Sequence, residues 1–132
     1  MNIMLGNTTI KAIPAHFLHS EGNFQFYDVA SKILFSGDLG ASLVHHEEAA
    51  KPVADFEKHI PNMLGFHKRY MNGNKACRFW ANMVKGLEIN AIVPQHGSPF
   101  IGDKMVKQFI HWVEHLECGL DLFTQQNYQV PK

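Results

Sequence analysis

The chain has 132 residues, with 12 Lys+Arg against 12 Asp+Glu and a formal net charge of +0. That length is close to one ordinary domain, and the balanced charge argues against a nucleic-acid binder or a polybasic membrane-surface protein. Hydrophobic residues make up 45%, enough for a core, while no apolar run approaches the roughly 18 residues of a membrane span. Cys77 and Cys118 alone give no disulfide framework, and the first residues lack the basic-then-apolar order of a signal peptide, so a cytoplasmic location is expected. The nine His invite attention, because imidazole is the commonest metal ligand.

Residues 8–13 alternate weakly and read as a first strand that Pro14 ends. A loop rich in Ser, Gly and Asn follows, then a hairpin of two short strands at residues 24–27 and 33–35. Residues 36–42 form a glycine-flanked loop, and residues 43–52 carry no clear pattern. Residues 53–71 are broadly helical, with interruptions expected at Pro61 and Gly65. Residues 75–87 are a cleaner helix, whose apolar face is Ala76, Phe79, Trp80, Met83, Val84 and Leu87. A buried strand at 91–93 precedes a last helix, with Asp103 as its N-cap, an end near Glu117 and Gly119 as its stop. Met105, Val106, Phe109, Val113 and Leu116 line that helix's core face. The polar tail, 125–132, reads as frayed. The order is that of an α/β or α+β fold on one core.

Three polar residues follow apolar strands: His16 the first, Asp38 the third and His96 the fourth. Strand-end loops are where such folds place binding groups, because a rigid sheet holds side chains that remain free. Two imidazoles and a carboxylate form a donor set suited to Fe(II), Mn or Zn. Taken singly, each is more readily an ordinary loop residue, and it is the placement of all three at strand ends that makes a ligand set an equal reading.

The strings Pro14-Ala15-His16-Phe17-Leu18-His19-Ser20, Phe35-Ser36-Gly37-Asp38-Leu39-Gly40 and Pro94-Gln95-His96-Gly97 resemble the metallo-β-lactamase superfamily. More narrowly they are similar to its di-iron branch, the flavodiiron proteins and their flavin-free relatives, the oxygen-binding di-iron proteins. Phe66-His67-Lys68-Arg69-Tyr70-Met71 and Cys118-Gly119-Leu120-Asp121-Leu122 are similar to the flavin-free branch, so the resemblance runs from about Leu5 to about Phe123. It implies His16 as terminal ligand of one iron, His96 of the other, and Asp38 as the carboxylate bridging both. His19 is then a hydrogen-bonding support in the loop, with direct ligation as the lesser alternative, and His67 a support around the ligands or plain structure. The family's other half brings a His-x-Glu-x-Asp motif. Here His46 and Glu48 have the first spacing, but Ala50 stands where the Asp is wanted. The implied fold is therefore half of an αββα sandwich, mainly antiparallel sheet with flanking helices, and residues 1–132 match the C-terminal half.

The implied function is a non-heme di-iron module that binds or reduces dioxygen, an oxidoreductase if a partner or second copy completes it. Electrons come from an external donor, since no flavin-binding segment is recognised. The alternatives are a zinc hydrolase of the same superfamily and an inactive half-domain that acts only by association. A lone half leaves one sheet face open, with Phe24, Phe26 and Phe35 on it, so a homodimer or a partner chain is expected.

The remaining histidines receive blander readings. His111-Trp112-Val113-Glu114-His115 has the H-x-x-E-H spacing of a zinc peptidase group, yet it shares a polar helix face with Lys104 and Lys107 and is read as solvated. His45, His46 and His59 are read as surface residues. Cys77 and Cys118 are read as packed and too isolated for a redox pair.

Overall fold

The computed structural model describes residues 1–132. Six strands form one sheet in chain order: β1 Asn2–Leu5, β2 Thr8–Pro14, β3 Phe24–Asp28, β4 Ile33–Gly37, β5 Ala91–Pro94 and β6 Phe100–Ile101. Every neighbouring pair is antiparallel except β4 and β5, which run parallel. The crossover between those two carries α1 His46–Ala49, α2 Phe56–Tyr70 and α3 Asn74–Val84, and α4 Asp103–Glu114 follows β6. Two short 3-10 turns, Gly119–Leu122 and Gln125–Asn127, close the chain. No helix is long and apolar enough to cross a membrane.

Strand alternation separates the two faces of the sheet. Ile13, Gln25, Tyr27, Leu34, Ser36, Ile92 and Phe100 are buried and share one core with α2, α3 and α4. The opposite face carries Phe24, Phe26 and Phe35, which are 45%, 46% and 45% exposed, and Phe26 and Phe35 are register partners. The result is half of a metallo-β-lactamase-like sandwich: a mostly antiparallel sheet with helices on one side only, as the sequence implied.

Most elements fall where periodicity places them, and the differences have local causes. β1 and β6 are not legible: β1 is separated from β2 by a tight turn, and β6 has only two residues after Pro99. The helix of 53–71 begins at Phe56, capped by the Asp55 carboxylate accepting from the Lys58 N–H, and it runs through both Pro61 and Gly65. Its buried stripe is Phe56, His59, Met63 and His67. His59 is thus a core residue, 6% exposed, with its ring edge-on to Phe100 at 5.7 Å. The surface reading fails because its neighbours Glu57 and Lys58 lie off that stripe. On α3 the buried residues are Cys77, Trp80, Ala81 and Val84, so the core face is rotated from the expected one and Phe79 is 59% exposed.

Asp103 is the first helical residue of α4 and not its cap; Gly102, at φ 92°, holds the cap position. The helix ends at Glu114, and Gly119 opens a 3-10 turn instead of stopping the helix. Cys77 and Cys118 are both fully buried, but they are neighbours, with Sγ atoms 3.8 Å apart. The turn at 118–121 brings them together across 41 positions.

A chain of buried hydrogen bonds crosses this core. Trp80 Nε1 donates to Gln25 Oε1 at 2.8 Å, Gln25 Nε2 donates to the Ser36 carbonyl at 3.0 Å, and Ser36 Oγ donates to the Leu39 carbonyl at 2.7 Å. Gln25 and Ser36 are fully buried, and buried polar groups are stable only when paired. Gln25→Leu leaves the buried Trp80 indole N–H without a partner, while the Ser36 carbonyl keeps the Leu39 N–H at 3.2 Å. It is expected to cost about 1–3 kcal/mol of unfolding free energy for that orphaned donor, as read by urea denaturation.

Candidate metal centre

β2, β4 and β5 run in the same direction, so the loops that follow them meet at one edge of the sheet. The loop after β4 is short and tightly tied. The Leu39 N–H donates to Ser36 O at 3.2 Å and the Ala41 N–H to Asp38 O at 3.0 Å, while Leu39 is fully buried. The loop after β5 is braced against it. The Gln95 N–H donates to Gly37 O at 2.7 Å and the Ser42 N–H to His96 O at 3.2 Å. Gly97, at φ +89°, allows this approach, since a Cβ there would strike Ser42 Oγ and lie 2.9 Å from the Ser42 backbone N and O.

The loop after β2 has to reach further. β3 lies between β2 and β4, so its ends are roughly two strand spacings, about 10 Å, from the Asp38 loop. Residues 15–23 span that gap. Leu18 is buried as an anchor, Asn23 Nδ2 donates to Leu18 O at 2.6 Å, and the Asn72 N–H at the end of α2 donates to Phe17 O at 3.2 Å. Phe17 sits at φ 66°, an unusual backbone region for a bulky residue.

These loops bring His19 to Asp38. His19 Nε2 lies 2.8 Å from Asp38 Oδ2, and His96 Nε2 lies 3.8 Å from Asp38 Oδ1. Each carboxylate oxygen therefore faces a different imidazole. The His19 ring packs beside Tyr70 and Phe66, at centroid distances of 5.7 and 6.3 Å. His16 is not at Asp38. It is still beside β2, exposed, with its ring edge-on to Phe24 at 5.1 Å, and it lines an apolar cavity of about 470 Å³ with Phe17, Phe79, Trp80 and Met83. His16, the expected ligand and the first histidine after the strand, stays beside β2, whereas His19 in the middle of the loop is the one that reaches Asp38. The order of the strands, which decides this, is not written in either residue. His45 and His46 are exposed beside and on α1, and Glu48 there pairs with Lys51 at 3.1 Å.

His67 holds the Asp38 loop from beneath. It is fully buried; its Nε2 accepts from the Gly40 N–H at 2.9 Å and its Nδ1–H donates to Met63 O at 2.7 Å. That pair of partners requires a neutral ring with its proton on Nδ1. Burial pushes its pKa down to about 4.

The donor set fits a carboxylate-bridged pair of cations in part. One aspartate directs its two oxygens to two imidazoles on separate loops, as a bridging carboxylate requires. Three donors are fewer than a pair of such cations ordinarily takes.

Residues 1–97 match the family described as ODP family beta lactamase. The chain belongs to that family. Among solved structures it is similar to an ODP chemotaxis sensor described in its peroxy diiron species, at 42% identity and a TM-score of 0.86 over 98% of this chain and 53% of that one. The apo state of the ODP sensor from T. denticola also matches at 42% identity, with a TM-score of 0.88 over 98% and 52% of the two chains. The flavodiiron protein of Giardia intestinalis shares the fold at 22% identity, with a TM-score of 0.74 over 86% of this chain and 28% of its own. No curated protein matches the chain. This ODP-family chain thus spans about half the length of the sensor chains it most resembles among these.

His67 also makes stability pH-dependent. Its folded pKa, about 4, lies below the unfolded value near 6.5. Between those values the unfolded chain binds the extra proton, so stability rises with pH through that window, is complete above about 6.5 and is lost as pH falls. The difference is worth about 3 kcal/mol, and burial of His59 adds in the same direction. Denaturation at pH 7.5 and 4.5 is expected to show the loss, and His67→Gln to shrink it.

Proposed function

We propose that this chain supplies one half of a non-heme di-iron centre that binds dioxygen. The observation that carries the reading is the Asp38 carboxylate, addressed by His19 on one oxygen and His96 on the other. The similarity to the diiron ODP sensor supports iron over zinc. Asp38 would bridge the two ions, with His19 and His96 as terminal ligands of one each. His19 takes the terminal-ligand role that the family resemblance implied for His16. A pair of ferrous ions, when bound, supplies electrons and open coordination positions for dioxygen.

The protein's own groups set the geometry. His67 and Ser36 fix the Asp38 loop, the Gly97 turn presents His96, and Phe66 and Tyr70 keep water from one side of the His19 ring. The missing ligands come from a segment that covers the open sheet face. A second copy of this chain, or a partner chain with the His-x-Glu-x-Asp motif, fills that role. If dioxygen is reduced and not only sensed, an external donor supplies the electrons.

Two measurements test the proposal. After anaerobic loading with Fe2+, elemental analysis is expected to show bound iron lowered at least about tenfold in His19→Ala, Asp38→Asn and His96→Ala, and retained in His16→Ala. Retention in His19→Ala with loss in His16→Ala would reverse the assignment, and stoichiometric zinc with no iron in anaerobically purified protein would overturn the iron reading. Light scattering at micromolar concentration is expected to give a dimer or larger assembly; a strict monomer would exclude completion by a second copy.

A further inference from the structure

The last turn of α4 holds a second group of metal-ligating side chains, distinct from the Asp38 cluster. His111, Glu114 and His115 each offer a ligand atom, and all three atoms lie within 4.8 Å of one another. The sequence reading of this stretch as a solvated face holds for its exposure, since His111 and His115 are both exposed. It does not account for the convergence. Positions i, i+3 and i+4 share one helix face, and here the rings of His111 and His115 tilt together at a centroid distance of 4.4 Å.

Three further features favour a cation there. His115 Nδ1–H donates to the His111 carbonyl at 2.9 Å, which leaves the Nε2 lone pair pointing away from the backbone. A backbone carbonyl on the far ring nitrogen is the usual way a ligating histidine is oriented and made more basic. The site lies at a helix C-terminus, where the aligned peptide dipoles favour positive charge. The backbone beneath it is fixed, because Asn74 Nδ2 donates to the carbonyls of Glu114 and Leu116 at 2.9 and 2.8 Å. The backbone is then already ordered, and only side-chain rotamer freedom is lost when the three groups are gathered.

We propose that His111, Glu114 and His115 form a peripheral site for a borderline divalent cation of the Zn2+ or Ni2+ type. Two imidazoles disfavour Mg2+ and Ca2+, which take oxygen ligands. The exposed side of the site leaves the remaining positions to water. Glu114 also has a competing partner: Lys85 Nζ on the segment after α3 donates to its Oε1 at 2.7 Å. The ammonium and the cation contend for one carboxylate, so binding loosens the tie between α4 and the end of α3.

The test is calorimetric titration of the full chain with Zn2+ and with Ni2+ at pH 7.5. Wild-type protein is expected to bind one equivalent per chain more than His111→Ala and His115→Ala do, with affinity for that equivalent weakened at least tenfold in either variant. Lys85→Ala, which frees the carboxylate, is expected to tighten it severalfold, and Glu117→Gln, on an exposed neighbour outside the group, to leave it unchanged. All of these positions are at the surface, and the melting temperature of each apo variant confirms folding. Equal stoichiometry and affinity in wild type and His115→Ala overturns the site; weakening in Lys85→Ala overturns the competition for Glu114. Neither outcome bears on the iron proposed at Asp38, and any Zn2+ or Ni2+ taken up there is a separate class that Asp38→Asn removes and His115→Ala leaves in place.

Discussion

Asp38 is held by two buried hydrogen-bonded supports, and the rest of the site depends on them. One runs from Trp80 on α3 through Gln25 on β3 and Ser36 on β4 to the carbonyl of Leu39. The other is His67 on α2, which accepts from the Gly40 N–H. They fix the backbone on both sides of the carboxylate. Each link is out of water, so breaking one leaves a neighbour unpaired at a cost of about 1–3 kcal/mol. An exposed, flexible aspartate would have to be ordered when it bound a cation, whereas this one is positioned by the folding of the core.

The same supports explain what could be read from the sequence. The strand-end placement of Asp38 and His96 was legible because both follow short apolar strands flanked by glycine, and those strands form. Gln25 stands in an aromatic-rich strand at a position where alternation calls for an inward side chain. A polar residue there signals a buried network, although its partners, 11 and 55 positions away, are invisible along the chain. His16 and His19 could not be separated in the same way. Both lie in one loop between two strands, and the one that reaches Asp38 is decided by the strand order across the sheet. His59 was missed because its polar neighbours in sequence face solvent while it continues the Phe56, Met63 and His67 stripe. The thiol pair was missed because the turn that returns Cys118 to Cys77 follows the last helix and has no periodicity of its own.

The half-sandwich follows from the asymmetry of the sheet. Helices pack on one face, over β3 to β6 and the end of β2, and the core cluster lies on that side. The other face has the alternation of a buried strand surface without a covering layer. Its apolar side chains adjoin the edge where His19, Asp38 and His96 emerge. A segment docked on that face would therefore arrive beside the three donors.

Phe24, Phe26 and Phe35 also change what stability means for this chain. Each is about half exposed, and a surface laid over them would add to the folded state and leave the unfolded state untouched. Resistance to heat or denaturant then becomes a function of concentration, by mass action, and not a fixed property of one polypeptide. Any partner that covered this face would thereby set, through its own abundance, how much of the chain persists.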